Sequence, residues 1–183
     1  MIRGLRRVVA DAGPVRLTLM LAFAAAVAYA VAHDRALRHV EACGSAEVLR
    51  WFAFDDVSCV ADTTLFRVDG TLTGYTITIG CTAIFLLFPF FTITGLLLLV
   101  RRVAVWRSLL AAVAATIAVL TVNQVRLLVI GAGMRIWGIE QGYAYTHIFF
   151  GTLVSTLGVV LSGFFYLKLL TGLRARKAVP AHA

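Results

Sequence analysis

Four apolar stretches, at about residues 15–32, 80–100, 107–128 and 147–167, constrain this chain more than any other feature. A helix crossing the hydrocarbon core of a bilayer needs roughly 20 apolar residues, and each stretch comes close to that length. A soluble domain usually carries about 25% charged residues; here the share is 14%, against 61% hydrophobic, with a mean hydropathy of +0.91. So little polar surface cannot cover a soluble core. The expected fold is an all-α integral membrane protein, a four-helix transmembrane bundle forming a single membrane domain over residues 1–183. The net charge of +8 and pI near 10.1 would suggest nucleic acid in a polar chain. In a chain this apolar, positive charge instead sets membrane topology, and the expected partner is the lipid bilayer, with no nucleic acid.

The charges fix the expected orientation. With the N-terminus inside, the inner segments hold Arg3, Arg6, Arg7, Arg16, Arg101, Arg102, Arg107, Lys168, Arg174, Arg176 and Lys177, which is 11 of the 17 basic residues, against the single acid Asp11. All three inner segments are short, the condition under which Lys and Arg decide orientation. Both termini are therefore expected in the cytoplasm, in the inner (cytoplasmic) membrane. The first stretch follows an arginine cluster and ends in small residues, so it reads as an uncleaved signal anchor or, alternatively, a cleavable signal peptide.

Residues 33–79 form the one sizeable outer insertion. Residues 35–54 mix charges with Leu37, Val40, Leu49, Trp51 and Phe52, the pattern of a helix lying along the membrane surface. From 57 to 79, Val, Thr, Tyr and Ile dominate. Asp69-Gly70 is a turn signal, and Tyr75, Ile77 and Ile79 alternate with Thr76 and Thr78, predicting a small β-hairpin that leads straight into the second span.

This orientation brings scattered polar residues to one depth. Cys81 opens the second span on its outer side, Asn123 and Arg126 sit near the outer end of the third, and His147 opens the fourth. Each alone has a bland reading: a small buried thiol, an arginine snorkelling to the interface, an interfacial histidine. Together they read as a catalytic site, since an ionisable group within a span is a functional candidate. Asn123, the only asparagine, shares a helix face with Arg126 and can orient the guanidinium or bind a substrate carbonyl. Gly151, Ser155, Gly158 and Ser162 form a small-residue stripe that packs helices closely and turns His147 inward. Thiolate is the nucleophilic form of cysteine, and neighbouring cations favour it. His147 can take the proton and return it to a leaving amine, while Arg126 can hold the thiolate or an oxyanion. No cofactor or metal is expected: Cys81 and His147 alone are too few ligands for zinc, and His33 and His39 lie in the surface segment.

Cys81-Thr82-Ala83 at the start of one helix, Asn123-x-x-Arg126 near the end of the next, and His147-x-x-x-Gly151 opening the last resemble the exosortase/archaeosortase family. These are multi-pass membrane cysteine transpeptidases acting on proteins with a C-terminal sorting signal: a short motif, a transmembrane helix and a basic cluster. The resemblance covers roughly residues 70–165. It implies Cys81 as nucleophile with Arg126 and His147 as partners, and the histidine points to the exosortase side. The implied partners are membrane-anchored protein substrates with such signals and an acceptor, water or an amine such as that of a glycolipid or lipid. Two departures stand out. The family commonly follows its cysteine with a small residue and then glycine, where this chain has Thr82-Ala83, and typical members carry more spans.

Cys43 and Cys59 lie outside that pattern. Both are expected on the outer side, where disulfides persist, and a disulfide stapling the surface helix to the hairpin is the expectation, two unrelated thiols the alternative. The hairpin edge can also receive an extended substrate tail by strand addition. The competing functional reading is a non-catalytic membrane assembly factor or transporter subunit, for which Cys81 would be dispensable.

Overall fold

The computed structural model describes residues 13–100 and 103–171. Arg3, Arg6, Arg7, Asp11, Arg101, Arg102, Arg174, Arg176 and Lys177, which carry most of the expected charge asymmetry, lie outside the described residues. Helix α1 (Pro14–Ala32) is followed by α2 (Asp34–Trp51), then strands β1 (Asp55–Val60), β2 (Thr63–Val68) and β3 (Thr71–Thr76). Helices α3 (Ala83–Leu98), α4 (Val105–Trp137) and α5 (Ile139–Ala144) come next, then a π-helical turn (Tyr145–Phe150) that runs into α6 (Gly151–Thr171).

Among the described residues, three helical stretches are long and apolar enough to cross a membrane: Pro14–Ala32, Val105–Trp137 and the run Ile139–Thr171. The fourth expected span, α3, is apolar but only 16 residues long, about 24 Å against a hydrocarbon core of about 30 Å. It falls short of the expected residues 80–100 because both ends are capped early. Thr82 accepts a hydrogen bond from the Ile84 amide at one end. At the other, Arg16 of α1 donates to the carbonyls of Leu98, Val100 and Val103, at 3.3, 2.9 and 2.9 Å, the usual partnership of a cation with helix-terminal carbonyls.

Helix α4 runs past its expected end near residue 128 to Trp137. Gly131 and Gly133 do not stop it, because they serve close packing. A Cβ on Gly133 would lie 2.2 Å from Thr146 Cγ2, and one on Gly142 would lie 2.1 Å from the Gly133 carbonyl oxygen. Between them Gly138, at φ +82°, reverses the chain. Further along, a Cβ on Gly158 would meet Val122 Cγ1 at 2.2 Å, so the small-residue stripe of α6 packs against α4, with Gly151, Gly158 and Ser162 buried.

The insertion folds as a cap packed on α4, with α2 as its helix. The buried face of α2 is Glu41, Ala42, Ser45, Ala46 and Leu49, the i, i+4, i+8 spacing of a helix packed on protein. Of the apolar residues expected to face lipid, Leu49 is buried, whereas Val40, Trp51 and Phe52 are exposed. In place of a hairpin there is a three-stranded antiparallel sheet in the order β1-β2-β3. The turn between β1 and β2, Ala61-Asp62, carries no glycine to signal it, yet Ala61 adopts φ +52°. Asp69 and Gly70, at φ +49° and +80°, make the turn between β2 and β3. Strand β3 ends at Thr76, so Tyr75 and Ile77 are buried while Ile79 is exposed. Cys43 of α2 and Cys59 of β1 are disulfide-bonded, with Cα atoms 5.1 Å apart. One core joins Leu49, Phe66 and Tyr75 of the cap to Leu127, Ile130 and Met134 of α4, and Cys81 lies within it.

Candidate active site

Cys81 occupies the short link between β3 and α3. Its amide donates to the Thr78 carbonyl at 2.9 Å, closing a turn that sets the thiol just ahead of the helix N-terminus. It is the free cysteine of the chain and is 5% exposed. His147 Nε2 lies 3.2 Å from its Sγ, and Arg126 Nη2 donates to the same sulfur at 3.6 Å. Three separate segments, far apart in sequence, therefore meet at one sulfur atom.

Each partner is held by a local feature. Arg126 is 7% exposed, and among the described residues no carboxylate forms an ion pair with it. Its Nε is buried without a hydrogen-bond partner. An isolated buried cation is costly, so this guanidinium is suited to an anion forming beside it. Space for it comes from Gly151: a Cβ there would lie 3.0 Å from Arg126 Nε. His147 belongs to the π-helical turn, in which the Gly151 amide reaches back to the Thr146 carbonyl. Such single-turn widenings are frequent at functional sites. Tyr143 stacks on the imidazole, with ring centroids 4.9 Å apart and planes 20° from parallel.

Asn123 is fully buried one turn before Arg126. Its Nδ2 donates to Glu41 of α2 rather than approaching the guanidinium, and its Oδ1 is buried without a partner. The structure thus brings Cys81, Arg126 and His147, all expected at the site, into contact, with Asn123 one turn before Arg126 on α4. The sequence reading misses Tyr143 and Glu41. Tyr143 precedes His147 by four residues, a spacing that signals a shared helix face. Glu41 carries no such signal, since an acid within a mixed-charge helix reads as solvent-facing.

Glu41 also explains the departure after the cysteine. Its Oε2 accepts from Thr82 Oγ1 at 2.7 Å, and its Oε1 from the Ala83 amide at 3.0 Å. Residues 82–83 therefore form a helix cap with a carboxylate on it, which uses a threonine hydroxyl and needs no glycine at residue 83.

No curated protein and no solved structure matches the chain. The family model described as transmembrane exosortase matches residues 7–165, which takes in both the helices and the cap, with Cys81, Arg126 and His147 inside the matched region. With most of its length so matched, the chain belongs to the transmembrane exosortase family, a family of membrane transpeptidases.

Proposed function

We propose that this chain is a membrane-embedded cysteine transpeptidase that cleaves and sorts envelope proteins carrying a C-terminal signal of motif, transmembrane helix and basic cluster. The observation that carries the proposal is the convergence of His147 Nε2 and Arg126 Nη2 on Cys81 Sγ, at 3.2 and 3.6 Å. In this reading Cys81 Sγ gives its proton to His147 Nε2 and attacks the scissile carbonyl carbon. The resulting oxyanion is balanced by Arg126. Collapse breaks the C–N bond, His147 returns the proton to the departing amine, and a thioester remains on Cys81. Attack by water or by an amine, such as that of a glycolipid or lipid, then releases the product and restores the thiol.

The same reading sets four helices across the inner membrane, α3 included, with both termini cytoplasmic and the cap and site on the outer face. A short α3 suits it, because the link bearing Cys81 then sits just inside the interface that a substrate's cleavage motif would reach. Enzyme and substrate share the bilayer, which raises their effective concentration. Among the described residues the outer edge of β3 has no strand partner, and an extended motif can add there.

The test compares C-terminal peptides of envelope proteins, by mass spectrometry, between host cells carrying the wild type and cells carrying Cys81→Ala. A set of proteins keeping its C-terminal helix only in the variant is expected. If no protein differs although the enzyme is present in the membrane, the chain is a non-catalytic assembly factor or transporter subunit instead.

A further inference from the structure

We infer that Glu41, on the cap helix α2, is a positioning residue for the active site: it clamps the turn bearing Cys81 to the helix bearing Arg126. The inference rests on the transpeptidase reading of Cys81.

The argument begins with cost. Glu41 is 8% exposed, and among the described residues no arginine, lysine or histidine forms an ion pair with it. A buried carboxylate without a counter-ion is expensive unless donors surround it. Three donors do: Thr82 Oγ1, the Ala83 amide and Asn123 Nδ2. In most helices the N-cap side chain alone accepts from a first-turn amide, as Thr82 does here from the Ile84 amide. The carboxylate comes from another element, residue 41, and its third donor from a third element, α4.

These donors fall beside the reacting groups. Thr82 and Ala83 immediately follow Cys81, so holding them fixes the direction in which the thiol leaves the chain. Asn123 precedes Arg126 by three residues, so holding it fixes the same face of α4 at the depth of the guanidinium. One carboxylate thus sets the separation between thiol and guanidinium. A catalytic constellation loses much of its rate for displacements of about 1 Å, and a 3.6 Å contact between Arg126 Nη2 and Cys81 Sγ has little slack. The hydrogen bond to Glu41 also fixes the Asn123 amide, because Nδ2 faces the carboxylate and Oδ1 is left, among the described residues, as a buried acceptor without a partner.

The test separates position from charge by comparing two neutral variants of the full chain in membrane vesicles. Glu41→Gln keeps an oxygen for Ala83 and Asn123 and a donor for the Thr82 hydroxyl; Glu41→Ala keeps neither. Cys81 is the free thiol, so its alkylation by iodoacetamide across the pH range that titrates a thiol reports its surroundings directly. Processing of envelope proteins is scored in parallel, and the Cys43–Cys59 disulfide serves as the folding check. At neutral pH the alanine variant should alkylate about tenfold more slowly than the glutamine variant, and only the glutamine variant should process. Asn123→Leu, which breaks the clamp from the other side, should behave as Glu41→Ala does. Coincident profiles and equal processing for Gln and Ala would overturn the inference. An active Cys81→Ala would instead overturn the transpeptidase reading on which it rests.

Discussion

The cap and the helical bundle are built from different interactions, and the candidate active site lies on the seam between them. In the cap, protein covers protein. Phe66, Leu49 and Ile77 are wholly buried, Arg38 bridges Asp34 and Asp62, and a disulfide ties α2 to β1. In the bundle, Leu87, Phe90 and Tyr166 are buried together, but many large side chains point away from the protein: α1 has no buried residue, and Leu157, Val160, Leu161 and Phe164 of α6 are each more than half exposed. The contacts that hold α6 to α4 are instead glycine against valine and arginine. Lipid solvates the apolar exterior, so close approach of small residues decides helix association there. Cys81 belongs by its packing to the cap's core, whereas Arg126 and His147 stand on bundle helices. Their meeting therefore depends on both kinds of construction.

The difference breaks most visibly under substitutions that respect one regime and violate the other. Gly158→Val should have the largest effect. Its first added carbon already lies 2.2 Å from Val122 Cγ1, so α6 must move away from α4 and carry His147 from Cys81. Processing should be lost, with reduced protein in the membrane, whereas Leu157→Ala one residue earlier should leave both unchanged. In the cap the expectation reverses, since removing a large side chain is what harms it. Replacing both Cys43 and Cys59 with serine should cost the cap about 3 kcal/mol, the chain-entropy value for a loop of roughly 15 residues. Limited proteolysis should then cut between β1 and β2 sooner, while fragments spanning α4 to α6 keep their protection.

The same contrast explains what could be read from sequence alone. The bundle was legible because lipid imposes length and apolarity on each crossing segment, and three of the four expected spans are helices of sufficient length. The meeting of Cys81, Arg126 and His147 was legible because the expected topology puts them at one depth whatever the packing details. The cap was less so. Its helix buries Glu41, Ser45 and two alanines and exposes Val40 and Trp51, which inverts the usual reading of polar and apolar positions. Its first turn is made by an alanine at positive φ, which carries no sequence signal. Helix α4 runs beyond the length a bilayer requires, and Gly131 and Gly133 in its extension let Leu49 and Thr146 come close.

The smallest effect tests how dry the cap's interior is. The Tyr75 hydroxyl lies 2.6 Å from Ser45 Oγ, between β3 and α2, and burial pushes the phenol from its ordinary value of 10.0 up to about 12, against the smaller pull of its hydrogen bonds to Ser45 and Thr64. A phenol raised in the fold is neutral there and ionises more readily once unfolded. Its contribution is therefore intact below pH 10.0 and lost as pH rises toward 12. Tyr75→Phe should cost about 1 kcal/mol at neutral pH, the net worth of one hydrogen bond. Above pH 10.0, the variant should lose stability less steeply than the wild type. Thermal unfolding followed by tyrosinate absorbance, wild type against variant, measures both. Equal slopes at high pH would mean that water reaches the phenol and that the cap is as solvated inside as it is at its edges. A shallower alkaline slope in the variant would mean that water is kept from the phenol and that the cap's core is dry where Tyr75 meets Ser45.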